Sequence, residues 1–529
     1  MTTGWLDWGK LLSDGRFPRA EPEDRAEPGS PPWMVNSRTE TERDFDRILF
    51  ATPTRRLGDK TQVFPLERNE SIRNRLTHSY EVANLARSIG THVVYSDLGA
   101  RIVEEASGTL GRGCADRVRR AVPAILSAIG LAHDLGNPPF GHQGEEAVRH
   151  WVRANEREIF GVSEKQKAFL GERGANLVHA DLERMTPRQR DDFRHFEGNA
   201  QTLRTLTRLQ VVKDNRGLNL TFGTLSALMK YTVPSDRAGR HVHGEAAPAA
   251  TRKVGYFTSE AELVERIRQE TGLPGYVRHP LTYIMEACDD IAYLIIDAED
   301  AIKKQLVSFA DLMAWLENRQ ELFNDEFSQW ILRHGRAGAC QARDARLPPS
   351  EINDVSMQIF RANAISAMVS AVIRAFEDRY DTIMTTGLDE PLLDLSIARP
   401  FAEAIKDFDF QHAYRNRRVL EIELSGFNTI HGLLDLLWRG ITEREDFDNP
   451  ASRRTSPFAR YAYGRISENY RRVFEGRVPP PVDIRTDLPI RYRELQLLTD
   501  MIAGMTDQFA IDLHEELERF NVGASTGRR

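Results

Sequence analysis

"LTYIMEACDDIAYLIIDAEDAIKK", Leu281 to Lys304, is apolar almost all the way round a helical wheel. A helix without a polar face has to lie among other helices, since any exposed flank would leave apolar surface in water. Within that cylinder Asp289, Tyr293 and Asp297 follow one another at i, i+4 and i+8, forming a single polar stripe. A buried, unpaired carboxylate is costly and tends to neutralise, so such a stripe calls for a cation or a hydrogen-bonded ligand.

Two other segments can supply the partners. "RNRLTHSYEVANLARSIG", Arg73 to Gly90, aligns His78, Val82, Leu85 and Ile89 on one helical face. "ADRVRRAVPAILSAIGLAHD", Ala115 to Asp134, stacks Val118, Val122, Ile125, Ile129 and His133 in the same way. Gly136 and two prolines then stop that helix, which leaves the pair His133-Asp134 at a helix end facing a cavity. A lone histidine on an apolar face is more often a hydrogen-bonded core residue than a ligand. The Asp289 stripe changes that balance, because two imidazoles and two carboxylates suit a divalent ion and leave positions open for water and phosphate oxygen.

Around these helices the chain is ordinary in bulk. Hydrophobic residues make up 41% of the 529 and charged residues 28%, enough to bury a large core. A net charge of −7 argues against a protein that coats nucleic acid by bulk charge. Cys114, Cys288 and Cys340 lie far apart and form no CxxC pair, which excludes a disulfide framework and a cysteine zinc site. The N-terminus has no signal pattern, and no segment approaches the roughly 18 apolar residues of a membrane span. A soluble, cytoplasmic protein without membrane partners is expected. "GWLDWGKL", Gly4 to Leu11, approximates a phosphate loop, but Leu11 stands where Ser or Thr would hold magnesium. Trp5 and Trp8 suit a docking segment instead. Residues 16–33 read as a Pro-rich flexible connector.

The expected architecture is all-α: an N-terminal docking segment and connector over 1–33, a helical core over 34–440, and a C-terminal helical region over 441–529. "GLNLTFGTL" (217–225) and "RVLEIELSG" (418–426) are the better strand candidates, and "SDRAGRHVHGEAAPAATRKVG" (235–255) reads as a surface loop.

The order His78 … His133-Asp134 … Asp289 resembles that of the HD-domain metal phosphohydrolases. Six blocks, in one order over most of the chain, are similar to the bacterial dGTP triphosphohydrolases: "ERDFDRILFATPTRRLGDKTQVFP", "NRLTHSYEVANLARSIG", "LAHDLGNPPFGHQGEEA", "FEGNAQTLRTL", "YIMEACDDIAYLIIDAEDA" and "IAGMTDQFA". The resemblance implies an HD-domain helical core with added C-terminal helices. Its metal ligands would be His78, His133, Asp134 and Asp289, and its catalytic pair His142 and Glu145. It also implies hydrolysis of dGTP or another dNTP to deoxynucleoside and whole triphosphate. There a protonated His142 would serve the 5′ oxygen as it leaves, with Glu145 one turn on to orient it and stabilise its charge. Tyr293, Asp297 and Gln62 match the deoxyribose side. Arg75, Asn199, Lys230, Tyr231, Lys253 and Arg361 match the triphosphate side, where several donors are needed. Asn137, inside the turn, is expected to give a hydrogen bond only.

Mn²⁺ or Mg²⁺ is the expected ion, with Fe or Zn as alternatives. A homo-oligomer, a hexamer by analogy, is the expected assembly. "SRRTSPFARYAYGRISENYRRVFEGR", Ser452 to Arg477, mixes Arg with aromatic rings, as suits an oligomer interface or single-stranded DNA, and a nucleotide effector is a further expectation. Two other readings stay open at this point: an HD phosphohydrolase acting on another nucleotide, and an idle dNTP-sensing or DNA-binding module.

Overall fold

The structure, a computed structural model, describes residues 4–17, 37–64, 71–210, 216–239, 247–478 and 487–521. It is almost entirely helical. The elements that build the site are α1 (Trp8–Leu11), α2 (Arg75–Tyr95), α3 (Ala115–Ala132), α4 (Gly141–Ala154), α5 (Gly198–Arg204), α6 (Phe222–Leu228), α7 (Pro280–Lys303), α8 (Pro349–Asp378), α9 (Arg399–Asp409), α10 (Arg417–Thr442), α11 (Ile490–Ala503) and α12 (Asp507–Phe520). Among the described residues the only named strands are β1 (Val233–Pro234) and β2 (Val254–Tyr256), which pair in parallel.

Helix α7 is the axis of the larger core, as its all-round apolarity demands. Leu281, Ile284, Ile291, Ile295 and Ile302 are buried there with Val82, Ile89, Val122, Ile125 and Ile129 of α2 and α3. Its 24 residues span about 36 Å. The helix starts at His279, whose Nδ1 accepts from Leu281 N at 3.1 Å, with Pro280 at the first helical position. The opposite nitrogen of His279 donates to the Leu11 carbonyl at 3.2 Å, so the N-terminal α1 docks on the start of the central helix. Trp8 is buried beside it and donates to Tyr380 Oη at 2.7 Å. The connector expected over 16–33 lies, from residue 18 onward, outside the described residues.

Helices α2 and α3 approach closely because of two glycines. A Cβ on Gly130 would fall 2.7 Å from Ala83 Cα, and one on Gly90 would fall 2.5 Å from Leu126 Cδ1. Gly130→Ala is therefore expected to wedge the two ligand-bearing helices apart, at a cost of about 1–3 kcal/mol in urea unfolding. Unchanged stability would show that the backbones can separate freely.

A second apolar cluster joins α4 to the C-terminal helices. Val148 and Trp151 pack with Ile430, Leu433 and Leu437 of α10, Leu495 and Leu498 of α11, and Leu513 of α12. Trp151 Nε1 also donates to Asp435 Oδ1 at 2.7 Å.

Three sequence expectations are corrected. Residues 217–225 form no strand: Gly217 and Asn219 have left-handed φ values of 60° and 48°, and Thr221 then caps α6 by accepting from Thr224 N. Residues 418–426 lie inside α10, where the short alternation is the first part of a longer helical stripe continuing through Ile430, Leu433, Leu437 and Ile441. By length and composition, one helix, α8, is apolar enough to cross a membrane. Its Met357, Phe360, Ala364, Met368 and Val372 are, however, packed into the larger core.

Candidate metal centre and active site

Helix α2 begins at a reciprocal cap: Asn74 Oδ1 accepts from Thr77 N at 3.0 Å, and Thr77 Oγ1 accepts from Asn74 N at 3.1 Å. This fixed start turns His78 toward α3 and α7, where its Nε2 lies 3.1 Å from Asp289 Oδ1. At the end of α3, His133 Nδ1 donates to the Gly130 carbonyl at 2.8 Å. A carbonyl only accepts, so Nδ1 carries the proton and the lone pair stands on Nε2. That Nε2 is buried, lies 3.4 Å from Asp289 Oδ1 and 3.6 Å from Asp134 Oδ1, and makes no hydrogen bond among the described residues. Donor atoms of His78, His133 and Asp134 fall within 4.8 Å of one another.

An orphaned imidazole nitrogen beside two carboxylates fits a divalent cation. The electrostatics agree. Burial opposes charge on His133, yet Asp134 and Asp289 hold its pKa up at about 9. Burial likewise opposes charge on Asp134, which Arg75 and His133 hold down at about 2. His133 and Lys230 keep Asp289 well below the usual carboxylate range despite its burial. The pocket calls for positive charge, and a metal ion can supply it while releasing the imidazole proton.

Of the positions expected to meet phosphate, Arg75 and Lys230 border this cluster. Arg75 Nη1 bonds Asp134 Oδ2 at 2.5 Å, and Asn137 Nδ2 donates to Asp134 Oδ1 at 2.6 Å. Lys230 Nζ stands 3.4 Å from Asp289 Oδ2 and 3.8 Å from Glu286. Burial works against its charge, but these two acids raise its pKa. Lys253 lies over the Tyr231 ring, 5.9 Å from its centre, and donates to Glu197 Oε1 at 3.2 Å. Asn199 Nδ2 reaches the same oxygen at 3.0 Å. Arg361 is placed apart, paired with Glu299 at 3.3 Å. Glu299 lies ten residues along α7 from Asp289, about 15 Å at helical rise.

The turn after Asp134 carries the expected catalytic pair. Phe140 and Gly141 both have left-handed φ, 61° and 57°, and a Cβ on Gly141 would lie 2.6 Å from Arg75 Nη2. Only glycine lets Arg75 cross there. His142 follows with its side chain 84% exposed, while Glu145 is 2% exposed. His142 Nδ1 donates to Glu145 Oε2 at 3.2 Å, so its Nε2 is the atom offered to the cleft. Glu145 Oε1 accepts from Gly198 N, at the start of α5, at 2.8 Å. Burial would raise Glu145, but His142, Lys253 and Arg149 keep it low; burial and Glu145 itself raise Glu197.

At the positions expected to meet the sugar, Tyr293 is 36% exposed and its ring lies 6.0 Å from that of Tyr414. Tyr414 Oη donates to the buried Asp297 at 2.6 Å. Burial pushes the Asp297 carboxyl well up. Gln62 Oε1 is buried with no hydrogen-bond partner among the described residues. Glu197 and Tyr414 were not anticipated. Glu197 sits in the quoted "FEGNAQ" block, two residues before Asn199, whereas Tyr414 stands on a short π-helical turn, Phe410–Tyr414, that sequence periodicity does not mark.

Much of the Arg-aromatic stretch near the end is spent within the chain. The Arg454 guanidinium lies 3.4 Å from the Tyr463 ring centre, Tyr461 bonds Glu516 at 2.5 Å, and Tyr470 and Phe474 are buried.

The HD domain family matches residues 75–214, which contain His78, His133, Asp134, His142 and Glu145. The chain is 32% identical over 522 residues to the deoxyguanosinetriphosphate triphosphohydrolase-like protein of Listeria monocytogenes, covering 97% of this chain and 99% of that one. It belongs to the deoxyguanosinetriphosphate triphosphohydrolase family. Other members match as fully: that of Serratia proteamaculans is 30% identical (90% and 93% covered), and the like protein of Pseudomonas aeruginosa is 31% identical (97% and 98% covered). The family's HD match ends well before Asp289, so the second carboxylate of the cluster comes from outside it.

Proposed function

We propose that this chain hydrolyses dGTP, and any other dNTP its base site admits, to deoxynucleoside and inorganic triphosphate, with a divalent ion held by His78, His133, Asp134 and Asp289. The observation that carries this reading is the orphaned His133 Nε2 facing two carboxylates, with Arg75 paired to Asp134 and Lys230 facing Asp289. A divalent ion at these residues supplies Lewis-acid polarisation of phosphoryl oxygens.

The chain's own residues do the rest. Arg75, Lys230 and Lys253 offset a group of about four negative charges, and their present carboxylate partners give way to phosphate oxygens. Water attacks the α-phosphorus and releases a proton to solvent, the P–O5′ bond breaks, and the electron pair stays on O5′. The His142 Nε2–H delivers a proton to that oxygen, while Glu145 holds the ring through Nδ1. Tyr293 packs beneath the sugar where a 2′-hydroxyl would collide, and Asp297 and Gln62 offer their free acceptors to the 3′-hydroxyl.

Mn²⁺ or Mg²⁺, a cytoplasmic location and a symmetric homo-oligomer complete the proposal. They are supported by the borderline N and O donor set, by three unpaired cysteines, and by the general tendency of homo-oligomers to close. The test is incubation with each dNTP and with GTP under Mn²⁺ or Mg²⁺, with products resolved by ion exchange. Deoxyguanosine plus intact triphosphate is expected, with GTP untouched. Monophosphate plus pyrophosphate would remove His142 from its role. Silence on every nucleotide, with single-stranded DNA and non-substrate dNTPs added as activators, would overturn the reading.

A further inference from the structure

The segment "IAGMTDQFA" lies far from the metal ligands in sequence, yet it reaches the catalytic turn. Asp507, at the first position of α12, is buried and its carboxylate is shared between two segments. One oxygen accepts from Phe140 N at 3.0 Å. The other accepts from Thr61 N at 2.9 Å and from the Thr61 hydroxyl. Phe140 is the left-handed residue that opens α4 two positions before His142, and Thr61 immediately precedes Gln62.

A second tie runs in parallel. Lys60 Nζ, also buried, donates to the Asn137 carbonyl at 2.6 Å and to the Ala503 carbonyl at 2.7 Å. Arg75 N donates to Lys60 O at 3.0 Å, and Thr61 bridges Asn74 at the cap of α2. The short piece Lys60–Gln62 is thus stitched to the His78 helix on one side, and to the turn and the α11–α12 junction on the other.

We propose that Asp507 is a positioning residue: by holding the Phe140 and Thr61 amides on one carboxylate, it fixes His142 relative to Gln62, the leaving-group side relative to the sugar side. An amide in its place cannot do this, because an Asn presents an N–H to one of two N–H donors and one arm of the clamp must open. Displacing a reacting group by about 1 Å costs on the order of 10²-fold in rate.

The inference rests on the proposed activity, and the experiment separates the two. Asp507→Asn is compared with Thr506→Ala, which removes the α12 cap from Phe509 N but leaves the clamp intact. Expected for Asp507→Asn is a kcat lower by on the order of 10²-fold, with KM within about threefold and metal content unchanged. Thr506→Ala should lower Tm at least as much while keeping kcat within about twofold. Loss of kcat in proportion to Tm in both variants, or full kcat in Asp507→Asn, would overturn the proposal. Hydrogen exchange of the full chain, followed on peptides covering 136–145, provides a readout without turnover. Faster exchange there in Asp507→Asn but not in Thr506→Ala is expected, and equal exchange in both overturns the clamp. If the unaltered protein hydrolyses no nucleotide, the proposed function fails and the exchange comparison still decides the role of Asp507.

Discussion

An Asp289→Ala protein is expected to purify with almost no bound metal and to show no dNTP hydrolysis above background. Asp289 approaches both imidazoles, at 3.1 Å from His78 and 3.4 Å from His133, and it also faces Lys230. Removing it takes away one of two carboxylates and leaves Asp134, already bound to Arg75 and Asn137, as the one acid beside the two imidazoles. Lys230 would keep only Glu286, so a loss of a few kcal/mol in stability should accompany the loss of metal. Elemental analysis after dialysis against trace metal is the measurement. Metal content equal to that of the unaltered protein would remove Asp289 from the ligand set, whatever happened to activity.

His142→Ala should behave in the opposite manner. Metal content, nucleotide affinity and Tm are expected to stay put, because the ring is mostly in solvent and its one hydrogen bond in the structure goes to Glu145. The kcat should fall by about 10²–10⁴-fold, the usual range for a positioned general acid, which is about 3–5 kcal/mol of transition-state stabilisation. Calorimetric titration with a non-hydrolysable dNTP separates the two effects. Lost binding with kcat preserved at saturation would make His142 a phosphate contact instead of an acid.

The candidate metal cluster and the central helix were legible because burial makes polar residues conspicuous. A run as apolar as Leu281–Ile302 admits an aspartate only where something answers its charge, so Asp289 and Asp297 stand out in sequence. What stayed hidden was work done by ordinary-looking residues across long separations. Asp507 and Lys60 brace the turn from opposite ends of the chain, and no local pattern connects them to it. The alternation at Val419–Leu424 misled for a different reason. Leu420 and Leu424 are among the most exposed apolar side chains of the described residues while Val419 beside them is buried with Phe64 and Ala301, so apolar residues fall on more than one side of that part of α10. Helical character emerges only when the window extends to Ile441.

Asp289 has a consequence for the order in which the site comes into being. His78, His133 and Asp134 lie within one compact stretch of chain, while the second carboxylate, Asp289, arrives 155 residues after Asp134. At synthesis rates of about 5–20 residues per second, that delay is roughly 8–30 s. Throughout that interval a nascent chain carries three potential ligands and no closed site, and the central helix that will enclose them has not been made. A product that ended before Asp289, by stalled translation or by proteolysis, would therefore carry an open, incomplete cluster.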